Sequence, residues 1–319
     1  RPDKQGGKTV VGIVNTEVAS PRDGGPGVEI PLRRGIGVFL KTGYCSQALF
    51  RTLNRAFADP LDHEERATVP LAGGIMGHGY QCGMVWGAAL GAGAEAFRRL
   101  GSGPRAQAKA IAAAQRVLGS FFALNQTIEC SQITKFEWGR QSALQTAGFL
   151  LTGGPVRCFR MAGRYPSEAF GGIEAVLSED HDEALPAPVG CAALVAHRMG
   201  ASDAHIVTAA GLAGGIGLSG SGCGALGAAI WLLGLESLEK GAKRISYKPE
   251  KAQEMVERFL RCTGGEFECA KITGRRFDGV ADHAAFIRNG GCAEIIETLV
   301  ACGSGHVEAV TPAAEGGGS

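Results

Sequence analysis

The chain has 319 residues, of which 45% are hydrophobic, and a formal net charge of +1 at pH 7. This length allows one large domain or two of ordinary size, and the near-neutral charge gives no reason to expect nucleic acid as a partner. No apolar run reaches the roughly 18 residues of a membrane-spanning helix, so we expect no transmembrane segment. The ten cysteines are too sparse for the disulfide framework of a small secreted domain, which favours reduced, metal-binding or redox-active thiols.

In chain order, the first predicted element is an irregular N-terminal arm, and helices follow it. Residues 1–42 are rich in glycine, proline and charge, with short β-like pieces at 9–14 and 37–40. From Cys45 onward apolar residues recur at helical spacing, which predicts a mainly α fold. Besides the segment that starts at Cys45, the predicted helices are 107–124, 192–199, 203–212, 251–260, 283–287 and 292–299.

The chain repeats itself around its cysteines. Residues 71–82 read LAGGIMGHGYQC and residues 212–223 read LAGGIGLSGSGC, and each stretch runs into a glycine and a small-residue apolar helix. A second match pairs ECSQIT at 129–134 with ECAKIT at 268–273. Eight of the ten cysteines therefore form two sets in the same order: Cys45, Cys82, Cys130 and Cys158, then Cys191, Cys223, Cys269 and Cys292.

The repeat predicts two homologous helical bundles related by a pseudo-two-fold. The predicted units are the arm (1–42), a first four-cysteine repeat (43–175), a linker (176–188), a second repeat (189–302) and a tail (303–319). Residues 316–319 read GGGS and resemble an artificial linker, so they are left out of the fold prediction.

Cys82 and Cys223 occupy the position where a glycine-rich loop turns into a helix. Free N–H groups and the positive end of the helix dipole stabilise a thiolate there, so both thiols are expected to have a lowered pKa and to matter most among the eight. Glycines let the backbone approach a bound group, so the predicted cofactor-binding residues are Gly79, Gly83, Gly220, Gly222 and Gly224. Cys262 and Cys302 fall outside the repeat and are expected to be bystanders.

Three kinds of chemistry are compatible with four thiols that each lie on a different structural element of a repeat. An iron–sulfur cluster is commonly held by four cysteines, and a site assembled by the fold suits scattered ligands. Zinc sites normally use close CxxC pairs, which are missing from this sequence. Metal-free dithiol exchange, with Cys82 or Cys223 as the attacking thiol, is the third alternative.

No catalytic residue is assigned. The GxGxxG string at 215–220 follows a predicted helix instead of a strand and is interpreted as incidental. His78 is interpreted as a loop histidine, although the sequence leaves open an extra ligand or a proton donor. Glu129 and Glu268 each precede a repeated cysteine, where a carboxylate could relay protons or simply favour a helix N-terminus.

This order of cysteines resembles the C-GCAxxG-C-C family of proposed redox-active proteins, in two consecutive copies over about residues 43–299. A related domain occurs in split-Soret cytochromes, so the resemblance implies an iron–sulfur site; haem does not carry over because no CxxCH motif is present. The chain departs from the family pattern in two ways. Both copies have Cys-Gly in place of Cys-Ala, and the first copy has Gln81 and Trp86 where the motif has glycine.

The leading hypothesis is an iron–sulfur redox protein in electron transfer, with a [4Fe-4S] or [2Fe-2S] cluster bound by the four cysteines of each repeat, or with one site shared across the pseudo-two-fold. A redox partner protein is expected, and a homodimer or a larger redox complex are the assemblies considered. The alternatives are a cluster- or thiol-dependent reductase of a small molecule, and a zinc-binding or metal-free thiol module. The expected location is cytoplasmic; periplasmic export is the alternative, because the chain begins at Arg1 and a leader would have been removed.

Overall fold

A computed structural model describes residues 29–136, 153–179, 186–187 and 189–304 of the chain. These residues form helices and contain no strand, only an isolated antiparallel bridge between Gln81 and Glu129. The prediction of a mainly α fold is confirmed, while the pseudo-two-fold stays a prediction. None of the described helices combines the length and the apolarity needed to cross a membrane.

The helices of the first half surround the first cysteine set. They are α1 (Leu32–Thr42), α2 (Cys45–Ala56), α3 (Asp62–Ala67), a 3-10 turn (Val69–Leu71), α4 (Gly83–Leu100), α5 (Pro104–Asn125), α6 (Cys130–Thr134) and α7 (Gly154–Leu177). The second half contributes α8 (Cys191–Arg198), α9 (Asp203–Ala210), α10 (Gly224–Glu239), α11 (Glu250–Cys262), α12 (Cys269–Thr273), α13 (Val280–Arg288) and α14 (Ala293–Ser304). The order of short and long helices from α8 to α12 follows that from α2 to α6.

The β-like piece predicted at 37–40 is wrong, because these residues belong to α1. Gly35 and Val38 are buried one helical turn apart, and a side chain at Gly35 would collide with the carbonyl oxygen of Ala162 in α7. A run of four residues is too short to distinguish a strand from the buried stripe of such a helix. The other β-like piece, 9–14, lies outside the described residues.

The two halves pack through α4 against α9 and through α10 against α3, and both α4 and α10 are apolar and buried over most of their length. Trp86 of α4 is fully buried, and a side chain at Gly227 of α10 would collide with its indole ring. Tyr80 and Phe267 stack across the same region, with ring centroids 3.9 Å apart and planes 4° from parallel. The halves therefore share one continuous core.

A left-handed turn precedes the second cysteine of each repeat. The φ angles are positive at every residue of 73–77 and of 214–218, including the β-branched Ile75 (60°) and Ile216 (62°). Such a conformation costs about 1–2 kcal/mol for a residue with a Cβ, and both isoleucines are fully buried, so packing must hold it. The turns lead into Gly79 and Gly220, whose carbonyl oxygens accept hydrogen bonds from Ser131 (3.0 Å) and Ala270 (2.9 Å). Each loop thereby fixes the helix that carries the third cysteine.

The ends of those two helices suggest a stabilising substitution. Lys135 ends α6 with φ 53°, and Gly274 ends α12 with φ 70°. Because glycine adopts this conformation without a steric cost, we expect Lys135→Gly to raise the free energy of unfolding by about 0.5–1 kcal/mol. Chemical denaturation would show this, with Gly274→Lys as the matched variant that should lose a similar amount. A Lys135→Gly variant less stable than the parent would contradict the assignment of this cap.

Candidate thiol and metal centres

Helix starts position seven of the eight repeated cysteines. Cys45 and Cys130 are the first residues of α2 and α6, and Cys191 and Cys269 are those of α8 and α12. Cys82 and Cys223 directly precede α4 and α10, which confirms their predicted place at helix N-termini. The fourth cysteines differ, since Cys158 lies inside the start of α7 while Cys292 precedes α14 in a left-handed conformation with φ 59°.

The first set centres on a pair of thiols. The Cys82 thiol donates a hydrogen bond to the Cys45 sulfur, and this bond together with burial raises the pKa of Cys82 well above its usual value. The same hydrogen bond, helped by the amides of Gly73 and Ser46, lowers the pKa of Cys45 to about 7 against the opposing effect of burial. Cys130 and Cys158 are close enough for their charges to raise the pKa of Cys82 further. The four cysteines thus share one electrostatic environment.

A tyrosine from the second half covers the first set. Tyr247 stacks on Tyr44, the residue before Cys45, with ring centroids 5.7 Å apart. Its hydroxyl occupies the space beside Gly73, where any side chain would collide with it. Burial and the neighbouring Cys45 and Cys130 raise the pKa of Tyr247, so it stays neutral at pH 7. The first centre is therefore built from both halves of the chain.

The second set surrounds a small cavity. All four of its cysteines line a space of about 20 Å³, together with Gly224, Ala225, Ile272, Thr273, Phe277, His283, Phe286 and Ile295. Apart from the thiols, Thr273 and His283, these side chains are apolar or absent. Four thiols on or beside four different helices thus face one small, mainly apolar space.

The thiols of the second set are protonated at neutral pH. Burial raises the pKa of Cys223 and of Cys269, and it raises the pKa of Cys292 to about 12. Burial also raises the pKa of Cys191, although the amides of Gly214 and Ala192 favour its thiolate. The predicted low pKa of Cys82 and Cys223 is wrong. For Cys223, the free-energy cost of burying a charge exceeds the stabilisation of the thiolate by nearby N–H groups. Cys82 donates the hydrogen bond to Cys45, which favours its protonated form.

Four of the five predicted glycines are packed closely against protein atoms, and the fifth, Gly79, has a positive φ. A Cβ at Gly83 would lie 2.6 Å from the Cys45 sulfur, and one at Gly224 would collide with the carbonyl oxygen of Leu212. This explains why both copies read Cys-Gly where the family has Cys-Ala. A Cβ at Gly220 would lie 2.8 Å from the Ala270 Cβ, and Gly79 has φ 79°. Gly224 lines the cavity of the second set; binding of a cofactor by these five glycines stays a prediction.

The remaining sequence candidates lie around the centres. His78 is exposed and stacks on Tyr80, which fits a loop histidine. Glu129 accepts a hydrogen bond from Gln81 Nε2 (3.0 Å), and burial followed by the charge of Glu268 raises its pKa. Cys262 and Cys302 do not line the cavity, although Cys262 is close enough to raise the pKa of Cys292.

Sequence reasoning missed two residues, Tyr247 and His283. Tyr247 lies in the connection between α10 and α11, and His283 lies in a predicted helix without any motif. Neither residue has a sequence signal that relates it to a cysteine, because only the tertiary packing brings them to the two centres.

The donor chemistry of the second set is compatible with an iron–sulfur group. Among the described residues, no three His, Cys, Asp or Glu side chains are arranged to hold a single metal ion. Four cysteine sulfurs within apolar walls are the usual donor set of iron–sulfur clusters, which are larger than one ion. The residues that would hold such a group are the four cysteines of each set.

Fold and sequence together define a helical protein with two sets of four cysteines in the same order. The family model described as "Putative redox-active protein (C-GCAxxG-C-C)" matches residues 43–164 and 190–303. The chain belongs to this family, of which it contains two tandem copies. No curated protein and no solved structure matches the chain.

Proposed function

We propose that the chain is an iron–sulfur redox protein that exchanges electrons with a partner protein, and that each four-cysteine set holds one cluster. The observation that carries this proposal is the second set, where Cys191, Cys223, Cys269 and Cys292 line one cavity. A bound cluster would supply reversible one-electron transfer. Membership of a redox-active family supports the same class of chemistry.

The chain's own residues would hold the group and keep water away from it. The cysteines provide sulfur donors from separate helices, and Phe277, Phe286 and Ile295 form the apolar wall. The amides of Gly214 and Ala192 favour negative charge on Cys191, as ligation requires. Because the free thiols are protonated, uptake of metal must release protons and should weaken as the pH falls.

Anaerobic reconstitution with iron and sulfide tests the proposal directly. We expect iron and acid-labile sulfide to bind in comparable amounts and to produce a visible absorption that bleaches on reduction. The full-length chain with Cys262 and Cys302 both changed to serine is the control, and it should retain the spectrum. A protein that takes up only zinc, or no metal, under these conditions would refute the proposal.

A second candidate function is dithiol exchange at the first set, which the hydrogen bond between Cys82 and Cys45 favours. The Cys45 thiolate would attack a disulfide substrate, releasing one thiol and forming a mixed disulfide. Cys82 would then displace the second thiol and close a Cys45–Cys82 disulfide, so that one substrate disulfide is reduced and two cysteines are oxidised. Reduced protein that fails to convert a disulfide substrate stoichiometrically would exclude this activity.

The reactivity of Cys45 should depend on pH in the reduced, metal-free protein. Since its pKa is lowered to about 7, we expect its rate of alkylation to rise about tenfold per pH unit below that value and to level off above it. Cys158, whose pKa burial raises to about 12, should stay unmodified over the same range. Reaction with iodoacetamide followed by peptide mass spectrometry measures both rates. Equal rates at Cys45 and Cys158 would contradict the hydrogen-bonded pair.

A further inference from the structure

One polar side chain that lines the cavity of the second set is neither a thiol nor hydrogen-bonded to one. His283 of α13 is 1% exposed and lines the same cavity as the four cysteines. Its Nδ1 atom is buried and has no hydrogen-bond partner among the described residues. An unsatisfied buried polar atom costs about 1–3 kcal/mol, so its presence calls for an explanation.

The surroundings of His283 place the ring beside the backbone that precedes Cys191. Phe277 packs edge-on against the imidazole, with centroids 4.7 Å apart and planes at 78°. On another side the ring contacts Gly190 and Gly214; a Cβ at Gly190 would lie 3.5 Å from Nδ1. Gly190 precedes Cys191, and the Gly214 amide favours the Cys191 thiolate. The free nitrogen therefore lies beside the backbone that serves this cysteine.

We infer that His283 is a positioning residue of the second centre, where its Nδ1–H donates a hydrogen bond to a sulfur of the bound cluster. The inference rests on the proposed iron–sulfur function. Four cysteines already provide a complete ligand set, so a nearby neutral imidazole is better suited to donate than to ligate. Burial lowers the pKa of His283 to about 4, which keeps the ring neutral at pH 7 and leaves one N–H available.

Such a hydrogen bond makes the two centres unequal. Donation to sulfur favours the reduced, more negative state and raises the reduction potential. The segment between Cys130 and Cys158 contains no histidine, so the first set has no counterpart from that stretch of chain. The second centre therefore has a donor that raises its potential and that the corresponding segment of the first set lacks.

Two variants of the full-length chain separate donation from mere packing. His283→Asn keeps an N–H near the position of Nδ1, whereas His283→Leu has similar bulk and no donor. Both are made with Cys130→Ser, which limits the cluster to the second set, and are followed by redox titration with electron paramagnetic resonance. We expect His283→Leu to retain the cluster, to shift its potential downwards and to release iron to a chelator about tenfold faster, while His283→Asn stays close to the parent.

Each other outcome overturns the inference in a recognisable way. If His283→Leu leaves both the reduction potential and the rate of iron release unchanged, His283 is only a core residue. Loss of the cluster in both variants, with thermal unfolding unchanged, would mean that His283 is a ligand and not a donor. If the parent protein itself binds no iron and sulfide, the proposed function fails first and the role of His283 falls with it. His205→Leu is the control, because His205 bonds Glu64 (3.1 Å) and does not line the cavity.

Discussion

Cys191→Ser should remove one of two clusters, leaving about half of the iron and sulfide of the parent protein after anaerobic reconstitution. Cys191 contributes a sulfur to the cavity, and its charge acts on Cys223, Cys269 and Cys292, which places it among the other three. Removing one ligand of four leaves an incomplete set, whereas the first set is untouched.

Cys302→Ser is the matched control for this experiment, because Cys302 is partly buried but does not line the cavity. Iron analysis and electron paramagnetic resonance should find it equal to the parent. Full iron content in Cys191→Ser would remove this residue from the centre. The same measurement on Cys223→Ser and Cys292→Ser tests the expectation that Cys223 matters more, which stays a prediction.

The packing of Trp86 against Gly227 should contribute strongly to the stability of the fold. Trp86 is fully buried, so Trp86→Ala should lower the free energy of unfolding by about 3–5 kcal/mol. Gly227→Ala should cost about 1–3 kcal/mol, because its methyl group would collide with the indole ring. In the double variant the methyl group enters the space left by the indole, so we expect less destabilisation than the two changes added together.

Chemical denaturation of the four proteins in this cycle measures the coupling. Gly119→Ala is a suitable reference, since Gly119 lies inside α5 with no atom within 4 Å of an added Cβ, and the change should stabilise by about 0.5–1 kcal/mol. Additive effects at positions 86 and 227 would contradict direct contact between them.

The helices were predictable from sequence where their apolar periodicity is long. The stripe at 107–124 predicted α5, and the stripe at 251–260 predicted α11. Short runs were harder, as the misread segment in α1 shows. The repeat separated the eight cysteines of the two sets from Cys262 and Cys302, because a duplicated unit preserves their order.

The electrostatics of the thiols could not be predicted from local sequence. The N-terminal position of Cys82 is as predicted, yet its pKa rises because its hydrogen bond goes to Cys45, which lies on another helix. A helix dipole acts locally, whereas burial and hydrogen-bond direction depend on residues far apart in the chain. The places of His283 and Tyr247 beside the cysteines were likewise not predictable from sequence, because tertiary packing brings them there.

The contact between Trp86 and Gly227 has a further consequence, because these two residues hold the same place in their respective copies. Gln81 and Gly222 are also equivalent positions, and a Cβ at Gly222 would lie 2.5 Å from Gln81 Oε1. In a dimer of identical single-copy chains, one residue type would have to serve on both sides of such a contact, where two indoles would clash and two glycines would leave a hole. When the two copies are joined in one polypeptide, equivalent positions no longer have to carry the same residue. Each side of the contact can then take the residue that complements the other, and the two centres can diverge independently.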